Sequence, residues 1–427
     1  MTSFTRNDAL EFGAADEVRA AQKQLLKQHV RYCAEHSPFY KERLAGLDPE
    51  GIALKDLPLT EKMEVAIRNS EFVAVEPDQI ADIVFSSGTT GWPTKIMYSQ
   101  GDLERLAYNE ERAFNACGIS ASDIILLTCT MDRCFIAGLA YFLGMQSIGA
   151  ASIRNGHGTM EGHGEVIKHT NPTTLIGVPS FLRKLGNYLQ EQGMDLTSSS
   201  IDKLVCIGEP LRDASMQSLQ VAVDLERIWG AKAFSTYASS EIVTTFCECT
   251  EQAGGHLHPA LGLVEVLDEE GKDVADGEPG EVVVTPFSVQ GMPLIRYRTG
   301  DISFIDRAPC ACGRTSVRLG PIIGRKMQLL KVRGTSLYPQ AVFAVLDEMP
   351  EIGEYYLEVH AEDALSDRLV VHLAFSARPV EVDVVLSRLQ ARLRVKPEVI
   401  VEPAADIRRV VFTPESRKPV RFIDLRK

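Results

Sequence analysis

Residues 86–91, Ser-Ser-Gly-Thr-Thr-Gly, place four hydroxyl side chains and two glycines in six consecutive positions. Glycine lets the backbone approach a ligand closely, and bare amides and hydroxyls donate hydrogen bonds to an anion, most often a phosphate. A flexible turn of the same composition is the alternative. The segment lacks the Gly-Lys-Ser/Thr of a P-loop, and residues 94–99 after it are typical of a strand. We therefore expect a phosphate-covering loop between two strands.

A second chemistry is indicated by two Cys-x-Cys pairs that lie about sixty residues apart, with histidines near the first pair. Soft thiolates with one imidazole suit tetrahedral zinc, and a site with four protein ligands is closed and structural. Cys247 and His258 are competing ligands, and free cytosolic thiols beside a surface histidine are the alternative to a metal. The favoured ligand set is Cys249, His256, Cys310 and Cys312.

The composition limits the class of protein that could carry these groups. A chain of 427 residues exceeds what one hydrophobic core normally supports, so two or three domains are expected. Hydrophobic and charged contents of 45% and 24% are typical of a soluble globular protein. The net charge of −13 argues against a nucleic-acid-binding surface, but it leaves room for one local anion site.

Two features bear on location. The first residues lack the apolar core of a signal peptide, and nine cysteines, an odd number, scattered mostly in apolar contexts favour the cytosol. Residues 134–153 carry no charge and are nearly long enough to span a bilayer. They contain several glycines and a glutamine, so a buried helix followed by a strand is predicted instead of a membrane segment.

Periodicity then divides the chain. Residues 1–80 have apolar positions at helical spacing, and residues 81–325 alternate short β-branched runs with helical segments, which predicts an α/β domain with a substantially parallel sheet. Residues 262–268 and 280–287 are expected to form an antiparallel pair. Residues 326–427 predict a small α+β domain. The expected fold class is α/β: a large domain, 1–325, of mixed and parallel sheets layered with helices, then the small domain, 326–427.

Four motifs in order resemble those of the adenylate-forming superfamily, which includes acyl- and aryl-CoA synthetases, carrier-protein-loading adenylation domains and luciferases. They are SSGTTGWPT at 86–94, YASSE at 237–241, RYRTGD at 296–301 and IIGRKMQLLKVRG at 322–334. The closest branch is similar to phenylacetate–CoA ligases, through SPFYKERL at 37–44, IGEP at 207–210, CECTEQAGGHLH at 247–258 and CACGRT at 310–315. That branch often carries a structural zinc at such residues.

The resemblance implies that ATP and an aromatic carboxylic acid form an acyl-adenylate, whose AMP is then displaced by a thiol, most simply that of coenzyme A. Two alternatives stay open. One is an enzyme that loads an aryl or amino acid onto a carrier protein's phosphopantetheine, and the other is a non-catalytic nucleotide-binding homologue. The small domain is expected to be mobile. The sequence leaves the oligomeric state, a homodimer included, undecided.

Site roles follow from the resemblance, position by position. Tyr237 would lie near adenine, Glu241 would help to hold Mg²⁺, and Asp301 would accept hydrogen bonds from the ribose hydroxyls. Lys418, with Glu241 and Thr89, would serve catalysis. The other expected nucleotide-binding residues are Ser86, Ser87, Gly88, Thr90, Gly91, Gly208, Glu209, Pro210, Ala238, Ser239, Ser240 and Arg325. The expected acyl pocket consists of Phe135, Ile136, Ala137, Gly138 and Tyr237.

Each role has a plainer alternative, and two departures from the family pattern matter. Glu241 and Asp301 could be solvated loop acids, and Lys418 could belong to a basic solvated tail. Trp92 stands where the loop often has lysine, and Lys95 is the candidate replacement. At the expected hinge, residues 327 and 328 are methionine and glutamine where the family usually has an acidic residue. This departure puts free rotation of the small domain in doubt.

Overall fold

The structure is a computed structural model that describes residues 4–48, 51, 53–86, 94–156, 158–332, 335–361, 366–376, 379–413 and 419–426. The chain divides into two compact units, Met1–Ile322 and Ile323–Lys427. The predicted α/β class, with a large domain of mixed and parallel sheets and a small α+β domain, is confirmed. Among the described residues, no helix combines the length and the apolar character that a bilayer span requires.

The first unit begins with helices, as predicted for residues 1–80. One face of the first long helix is buried, because its apolar residues recur at helical spacing: Val18, Leu26, Val30 and Cys33. The α-helices of the first unit are α1 (Ala15–His36), α2 (Pro38–Arg43), α3 (Lys62–Ile67), α4 (Gln100–Ala116), α5 (Ile136–Ile148), α6 (Met160–Thr170), α7 (Pro179–Glu191) and α8 (Gln220–Trp229). Short 3-10 helices span Asp8–Phe12, Leu54–Asp56, Asn69–Phe72 and Pro77–Gln79.

The strands of the first unit form a hairpin, a large sheet and a smaller antiparallel sheet. They are β1 (Ile80–Phe85), β2 (Lys95–Ser99), β3 (Ile124–Leu127), β4 (Ala151–Arg154), β5 (Thr174–Gly177), β6 (Lys203–Ile207), β7 (Lys232–Ser239), β8 (Thr244–Glu248), β9 (Gly255–His256), β10 (Gly262–Leu267), β11 (Gly280–Pro286), β12 (Tyr297–Ser303), β13 (Ile305–Asp306) and β14 (Arg318–Leu319).

The large sheet has the strand order β13-β14-β9-β8-β7-β6-β5-β3-β4. From β7 to β4 the neighbours are parallel, and from β7 to β13 they are antiparallel. The parallel half is joined by helical crossovers, and its strands β3, β5 and β6 are almost wholly buried, as parallel strands covered on both faces must be. The predicted parallel sheet is therefore confirmed for β3, β5, β6 and β7.

β1 was also predicted from its sequence, but it pairs antiparallel with β2 in a separate hairpin. β10, β11 and β12 form an antiparallel sheet in that order, which confirms the predicted pair at 262–287. Residues 134–153 form α5 and then β4, as predicted, and Gly149 ends the helix in the left-handed conformation (φ +83°) that glycine tolerates.

The second unit is built around a four-stranded sheet of order β20-β19-β18-β21. Helices α9 and α10 share one apolar cluster with β18 and β19, and α11 shares another with the opposite side of those strands. Its strands are β15 (Gly324–Arg325), β16 (Leu330–Val332), β17 (Thr335–Leu337), β18 (Ile352–Ala361), β19 (Asp367–Phe375), β20 (Glu398–Val401) and β21 (Phe422–Asp424). Its helices are α9 (Pro339–Asp347), α10 (Val382–Leu393), α11 (Ala404–Val411) and the 3-10 turn Lys326–Gln328.

One buried carboxyl in the first unit has no cationic partner among the described residues. Glu110 on α4 is 1% exposed. Its Oε1 accepts hydrogen bonds from Thr245 Oγ1 at 2.5 Å and Asn109 Nδ2 at 3.1 Å, and Oε2 has no partner among the described residues. Burial raises the pKa of Glu110 from an ordinary 4.5 to about 7. The folded protein therefore keeps this carboxyl protonated at a pH where the unfolded chain has released the proton.

We predict that the contribution of Glu110 to the free energy of unfolding falls as the pH rises from about 4.5 to about 7, because only the unfolded state loses this proton there. Glu110→Gln removes the titration, so the change in unfolding free energy between low and high pH should differ from that of the wild type by up to about 3 kcal/mol. Urea unfolding at pH 5 and pH 8 measures it. Glu104→Gln, on an exposed position of the same helix, is the matched control. An unchanged pH dependence in Glu110→Gln would contradict the prediction.

Candidate functional site

Two of the predicted motifs meet through one hydrogen bond. Tyr237 lies near the end of β7, and its hydroxyl donates to Asp301 Oδ2 on β12 at 2.8 Å. Burial raises the pKa of Tyr237 well above its ordinary value, and the charge of Asp301 adds to this effect. The phenol therefore stays protonated and donates to the carboxylate. The structure thus brings Tyr237 and Asp301, 64 residues apart, to one place.

Glu241 lies in the turn between β7 and β8 and is 5% exposed. Its Oε1 is 3.9 Å from the ammonium nitrogen of Lys62, on α3. The carbonyl of Ser240 accepts a hydrogen bond from the Tyr98 hydroxyl, on β2, at 2.7 Å. Sequence reasoning missed Lys62 and Tyr98, because neither lies in a recognised motif. Tyr98 alone had a signal, since it lies on the strand that follows the predicted phosphate loop.

The predicted phosphate loop connects β1 and β2, as expected of a loop between strands. At its start, Ser86 is buried, and its N–H donates to the carbonyl of Thr94 at 2.9 Å, which brings the two ends of the loop together. The remaining residues of this prediction, and the lysine predicted to be catalytic, lie outside the described residues. They are Ser87, Gly88, Thr89, Thr90, Gly91, Trp92 and Lys418.

Two hydroxyls of the predicted nucleotide-binding set are buried without a hydrogen-bond partner among the described residues: Ser86 Oγ and Ser239 Oγ. A buried hydroxyl is normally hydrogen-bonded, so both oxygens are available to a further donor or acceptor beyond the described residues. Ala238, just before Ser239, is exposed at the end of β7. Arg325 is exposed in the second unit.

The predicted Gly208–Glu209–Pro210 turn follows β6, and Gly208 has a φ of +75°. Both carboxylate oxygens of Glu209 accept hydrogen bonds from Ser180 at the start of α7, from its N–H at 2.9 Å and its hydroxyl at 2.7 Å. Negative charge at a helix N-terminus is favourable. The side chain of Glu209 therefore holds this turn against α7.

The predicted acyl-pocket residues begin α5. Ile136 belongs to the apolar cluster against which Tyr237 packs, and Ala137 packs against a neighbouring cluster. The preceding residues Arg133 and Cys134 both have left-handed backbones, with φ of +58° and +53°. The N–H of Phe85, at the end of β1, donates to the carbonyl of Cys134 at 3.0 Å, so this bend is fixed next to the start of the phosphate loop. Phe135 is the residue that precedes the first helical turn.

The four predicted metal ligands converge. The Sγ atoms of the three cysteines and a ring nitrogen of the histidine all lie within 4.8 Å of one another. Cys249 follows β8, His256 lies in β9, and the other two lie between β13 and β14. The strand order β13-β14-β9-β8 brings these segments side by side. The set is Cys249, His256, Cys310 and Cys312.

The spacing of these atoms fits zinc. Zn–S and Zn–N bonds of about 2.3 and 2.05 Å in a tetrahedron separate two sulfurs by about 3.8 Å and a sulfur from a nitrogen by about 3.6 Å. Cys249 Sγ is 3.7 Å from Cys310 Sγ. Cys312 Sγ is 3.6 Å from His256 Nε2. Two edges of the expected tetrahedron are therefore already present.

The surroundings also suit a metal. His256 Nδ1 is 3.1 Å from Ser316 Oγ, which orients the ring with Nε2 towards the thiols, and burial lowers the pKa of His256 to about 3, so the imidazole is neutral. Burial raises the pKa of the Cys249 thiol to about 12. Burial would also raise the pKa of the Cys312 thiol, but hydrogen bonds from the backbone N–H and the guanidinium of Arg314 lower this pKa below its ordinary value.

The competing ligands lie elsewhere. Cys247 Sγ is 3.2 Å from Cys117 Sγ in the core behind β8. His258 Nε2 is 3.3 Å from the Tyr108 hydroxyl, and its Nδ1 accepts a hydrogen bond from the N–H of Ala260. Neither residue belongs to the converging group. Strand alternation alone would put residues 247 and 249 on the same face. They differ because Cys247 lies within β8, whereas Cys249 lies just after the strand ends at Glu248.

Comparison with known proteins adds to this geometry. The profile of the AMP-binding enzyme family matches residues 7–289. The phenylacetate-coenzyme A ligase of Thermus thermophilus is 32% identical over 84% of this chain and 82% of its own length, and that of Escherichia coli K12 is 30% identical over 84% and 83%. A crystal structure of 2-hydroxyisobutyryl-CoA ligase in the postadenylation state superimposes with a TM-score of 0.85 over 97% of this chain and 91% of that one, at 22% identity.

The family match covers more than half of the chain, and these relatives align with most of it at 30% identity or more. The chain therefore belongs to the AMP-binding enzyme family. The structural match, at lower identity, agrees with this assignment at the level of the fold.

Gly138, one of the expected acyl-pocket residues, lies in the first turn of α5 and yields a prediction about the stability of the fold. A Cβ there would lie 2.0 Å from the backbone oxygen of Thr130, which cannot rotate away. We expect Gly138→Ala to destabilise the fold by about 1–3 kcal/mol in urea unfolding, despite the better helix propensity of alanine. The control is Gly162→Ala on α6, where the nearest atom to an added Cβ is the side-chain hydroxyl of Thr159 at 3.1 Å. Equal stability of the two variants would contradict the prediction.

Proposed function

We propose that this protein is an ATP-dependent, AMP-forming acid–thiol ligase that activates an aromatic carboxylic acid as its acyl-adenylate and transfers the acyl group to coenzyme A. The observation that carries the proposal is the hydrogen bond between Tyr237 and Asp301, which joins two motifs expected to bind nucleotide in a chain of the AMP-binding enzyme family. The names of the relatives support coenzyme A as the acceptor, since they are phenylacetate-coenzyme A ligases.

The described residues support a nucleotide site. The Asp301 carboxylate, fixed by Tyr237, suits the two hydroxyls of a ribose because a carboxylate accepts several hydrogen bonds. The hydroxyls of Ser86 and Ser239, which have no hydrogen-bond partner among the described residues, suit phosphate or nucleobase acceptors. The resemblance places the remaining phosphate donors at residues 87–91.

Charge dictates the chemistry that these residues must support. The acid and the ATP phosphates are both anionic, so the attack of the carboxylate on the α-phosphate needs compensating positive charge. Glu241, nearly buried, would help to hold Mg²⁺, a hard cation that prefers carboxylate and phosphate oxygens and neutralises phosphate charge when bound. Lys62, 3.9 Å from Glu241, supplies positive charge on the same side of the site. This charge is relevant because Trp92 replaces the usual lysine of the loop.

An aromatic acid fits the expected pocket best. Its lining from α5 is small or apolar, and Tyr237 packs against the same cluster as Ile136. Such a surface suits a flat ring. The relatives named for phenylacetate, 3-hydroxybenzoate and indoleacetate all act on aromatic acids by their names.

The test is ATP–pyrophosphate exchange across a panel of aromatic, aliphatic and α-amino acids, followed by product analysis with coenzyme A and with a phosphopantetheinylated carrier protein. Exchange with aromatic acids and formation of an acyl-CoA are expected. Exchange only with aliphatic or amino acids would overturn the aromatic assignment. Thioester on the carrier protein alone would favour the carrier-loading alternative, and no exchange with any acid would favour a non-catalytic homologue. The cytosolic location stays a prediction.

We further propose that Cys249, His256, Cys310 and Cys312 hold one structural zinc ion. The donor set, the two tetrahedral edges and the orienting contact from Ser316 support this. Four protein ligands leave no open position for a substrate. Zinc would therefore stabilise the fold, by joining the segment after β8 to the loop between β13 and β14.

Purified protein is predicted to contain about one zinc per chain by elemental analysis, when chelators are avoided. Cys312→Ser should lower the metal content and the thermal unfolding temperature, because a hydroxyl is a poor zinc ligand. Cys134→Ser is the control, since Cys134 is exposed and lies outside the ligand group. Zinc-free protein, or an unchanged metal content in Cys312→Ser, would contradict the proposal.

Lys418 is predicted to serve adenylation and not thioester formation, since negative charge builds up at the α-phosphate only in the first step. Lys418→Ala should cost about 2–4 kcal/mol in adenylation, the scale of one preorganised electrostatic contact. The same variant supplied with synthetic acyl-adenylate should form thioester at close to the normal rate. Measuring the two half-reactions separately tests this. Equal losses would indicate that the small domain does not alternate, and no loss would assign Lys418 to the solvated tail.

A further inference from the structure

A short segment, residues 8–13, lies against the loop that carries two of the metal-ligand cysteines, and we call it the clasp. Glu11 in the clasp is 3% exposed. One of its carboxylate oxygens pairs with Arg112 on α4, and the other accepts a hydrogen bond from Arg314 Nε at 2.9 Å. A buried carboxylate between two guanidinium groups is strongly held, because losing either partner leaves a buried charge unpaired.

Main-chain and ring contacts reinforce this attachment. The N–H of Thr315 donates to the carbonyl of Glu11 at 3.0 Å, and the Thr315 hydroxyl donates to the carbonyl of Gly13 at 2.7 Å. The guanidinium of Arg314 lies 5.0 Å from the ring centre of Phe12. The clasp is therefore bound to residues 314 and 315, two and three positions after Cys312.

Arg314 also contacts the ligand group. Its Nη1 donates to Cys312 Sγ at 3.6 Å, and its side chain is 9% exposed. A chain of contacts thus runs from the Glu11 carboxylate through the Arg314 guanidinium to a metal-ligand sulfur. A metal-bound thiolate is a stronger acceptor for this N–H than a neutral thiol, because the hydrogen bond is then charge-assisted.

We propose that the clasp and the metal centre are coupled: bound metal holds the clasp closed, and Glu11, through Arg314, slows release of the metal. Glu11 is a positioning residue here and not a ligand. The coupling acts in both directions, since a contact that favours the metal-bound state is in turn favoured by the metal. This inference rests on the metal centre proposed above.

Metal release tests one direction. The full-length protein is loaded with zinc, its zinc content is measured, and transfer of zinc to an excess of a chromogenic chelator is followed. Glu11→Gln, which removes the charge but keeps the shape, should release zinc about tenfold faster, as substitutions that disturb ligand orientation do. Asp8→Asn is the matched control, because Asp8 lies in the clasp and pairs with Arg112 and Tyr108 but not with Arg314. Its release rate should equal that of the wild type.

Limited proteolysis tests the other direction. Chymotryptic cleavage after Phe12, quantified by mass spectrometry, should become at least about tenfold faster when zinc is stripped, while cleavage elsewhere in the first unit changes less. Thr315→Val, which removes one clasp hydrogen bond without changing charge, should accelerate this cleavage and zinc release. It replaces Glu11→Gln as the test if that variant does not fold.

Three outcomes decide the matter. Equal release rates for wild type and Glu11→Gln would overturn the inference, as would cleavage after Phe12 that does not respond to removal of zinc. Protein that binds no zinc at the loading step would overturn the metal centre itself, and the inference with it. The initial metal analysis therefore separates failure of the coupling from failure of the centre.

Discussion

A fully buried guanidinium, that of Arg105 on α4, is the constraint on which the first unit depends. Its Nε donates to the carbonyl of Phe287 at 2.6 Å, its other nitrogens donate to the carbonyls of Val243 and Leu261, and Nη2 lies 3.2 Å from Thr244 Oγ1. These acceptors belong to the entry of β8 and to segments flanking β10 and β11. Burial lowers the pKa of Arg105 to about 10, so it stays charged at neutral pH. If the two sheets separated, the buried guanidinium would lose these acceptors, and a buried charge without partners costs several kcal/mol.

This constraint reaches the candidate site directly. Val243, whose carbonyl accepts from Arg105, has a left-handed backbone (φ +48°) and lies two residues after Glu241. On the other side of the turn, Tyr98 donates to the carbonyl of Ser240. The turn is therefore held at both ends, and Glu241 is positioned before any ligand arrives. Such preorganisation is what electrostatic catalysis requires.

Sequence patterns predicted where the strands lie better than which strands pair with each other. β-branched runs identified β1 as readily as β3 or β5, but strand propensity does not say which strand is the neighbour, and β1 pairs in a hairpin outside the large sheet. The convergence of Cys249, His256, Cys310 and Cys312 could be predicted because thiol chemistry selects few residues. Cys249 and Cys247 could not be told apart from spacing, since the choice depends on where β8 ends: Cys247 lies within the strand and Cys249 just after it. Arg105, Glu110 and Glu11 were missed because charged side chains are exposed by default.

The hairpin of β7 and β8 connects the candidate metal centre to the predicted nucleotide motif at Tyr237, and this relation suggests how a remote metal would serve the candidate site. β7 and β8 pair antiparallel, with Tyr237 opposite Phe246, and Cys249 lies directly after β8. A slip of one residue in such a pair turns every side chain of the moving strand to the other face. Such a slip of β8 would displace Phe246 from the apolar cluster against which Tyr237 packs. Tyr237 would then lose its support, and its hydrogen bond to Asp301 would be disturbed. A metal that ties the end of β8 to the loop between β13 and β14 opposes that slip. The ligands would thus act on the nucleotide motif through strand register, without touching a substrate.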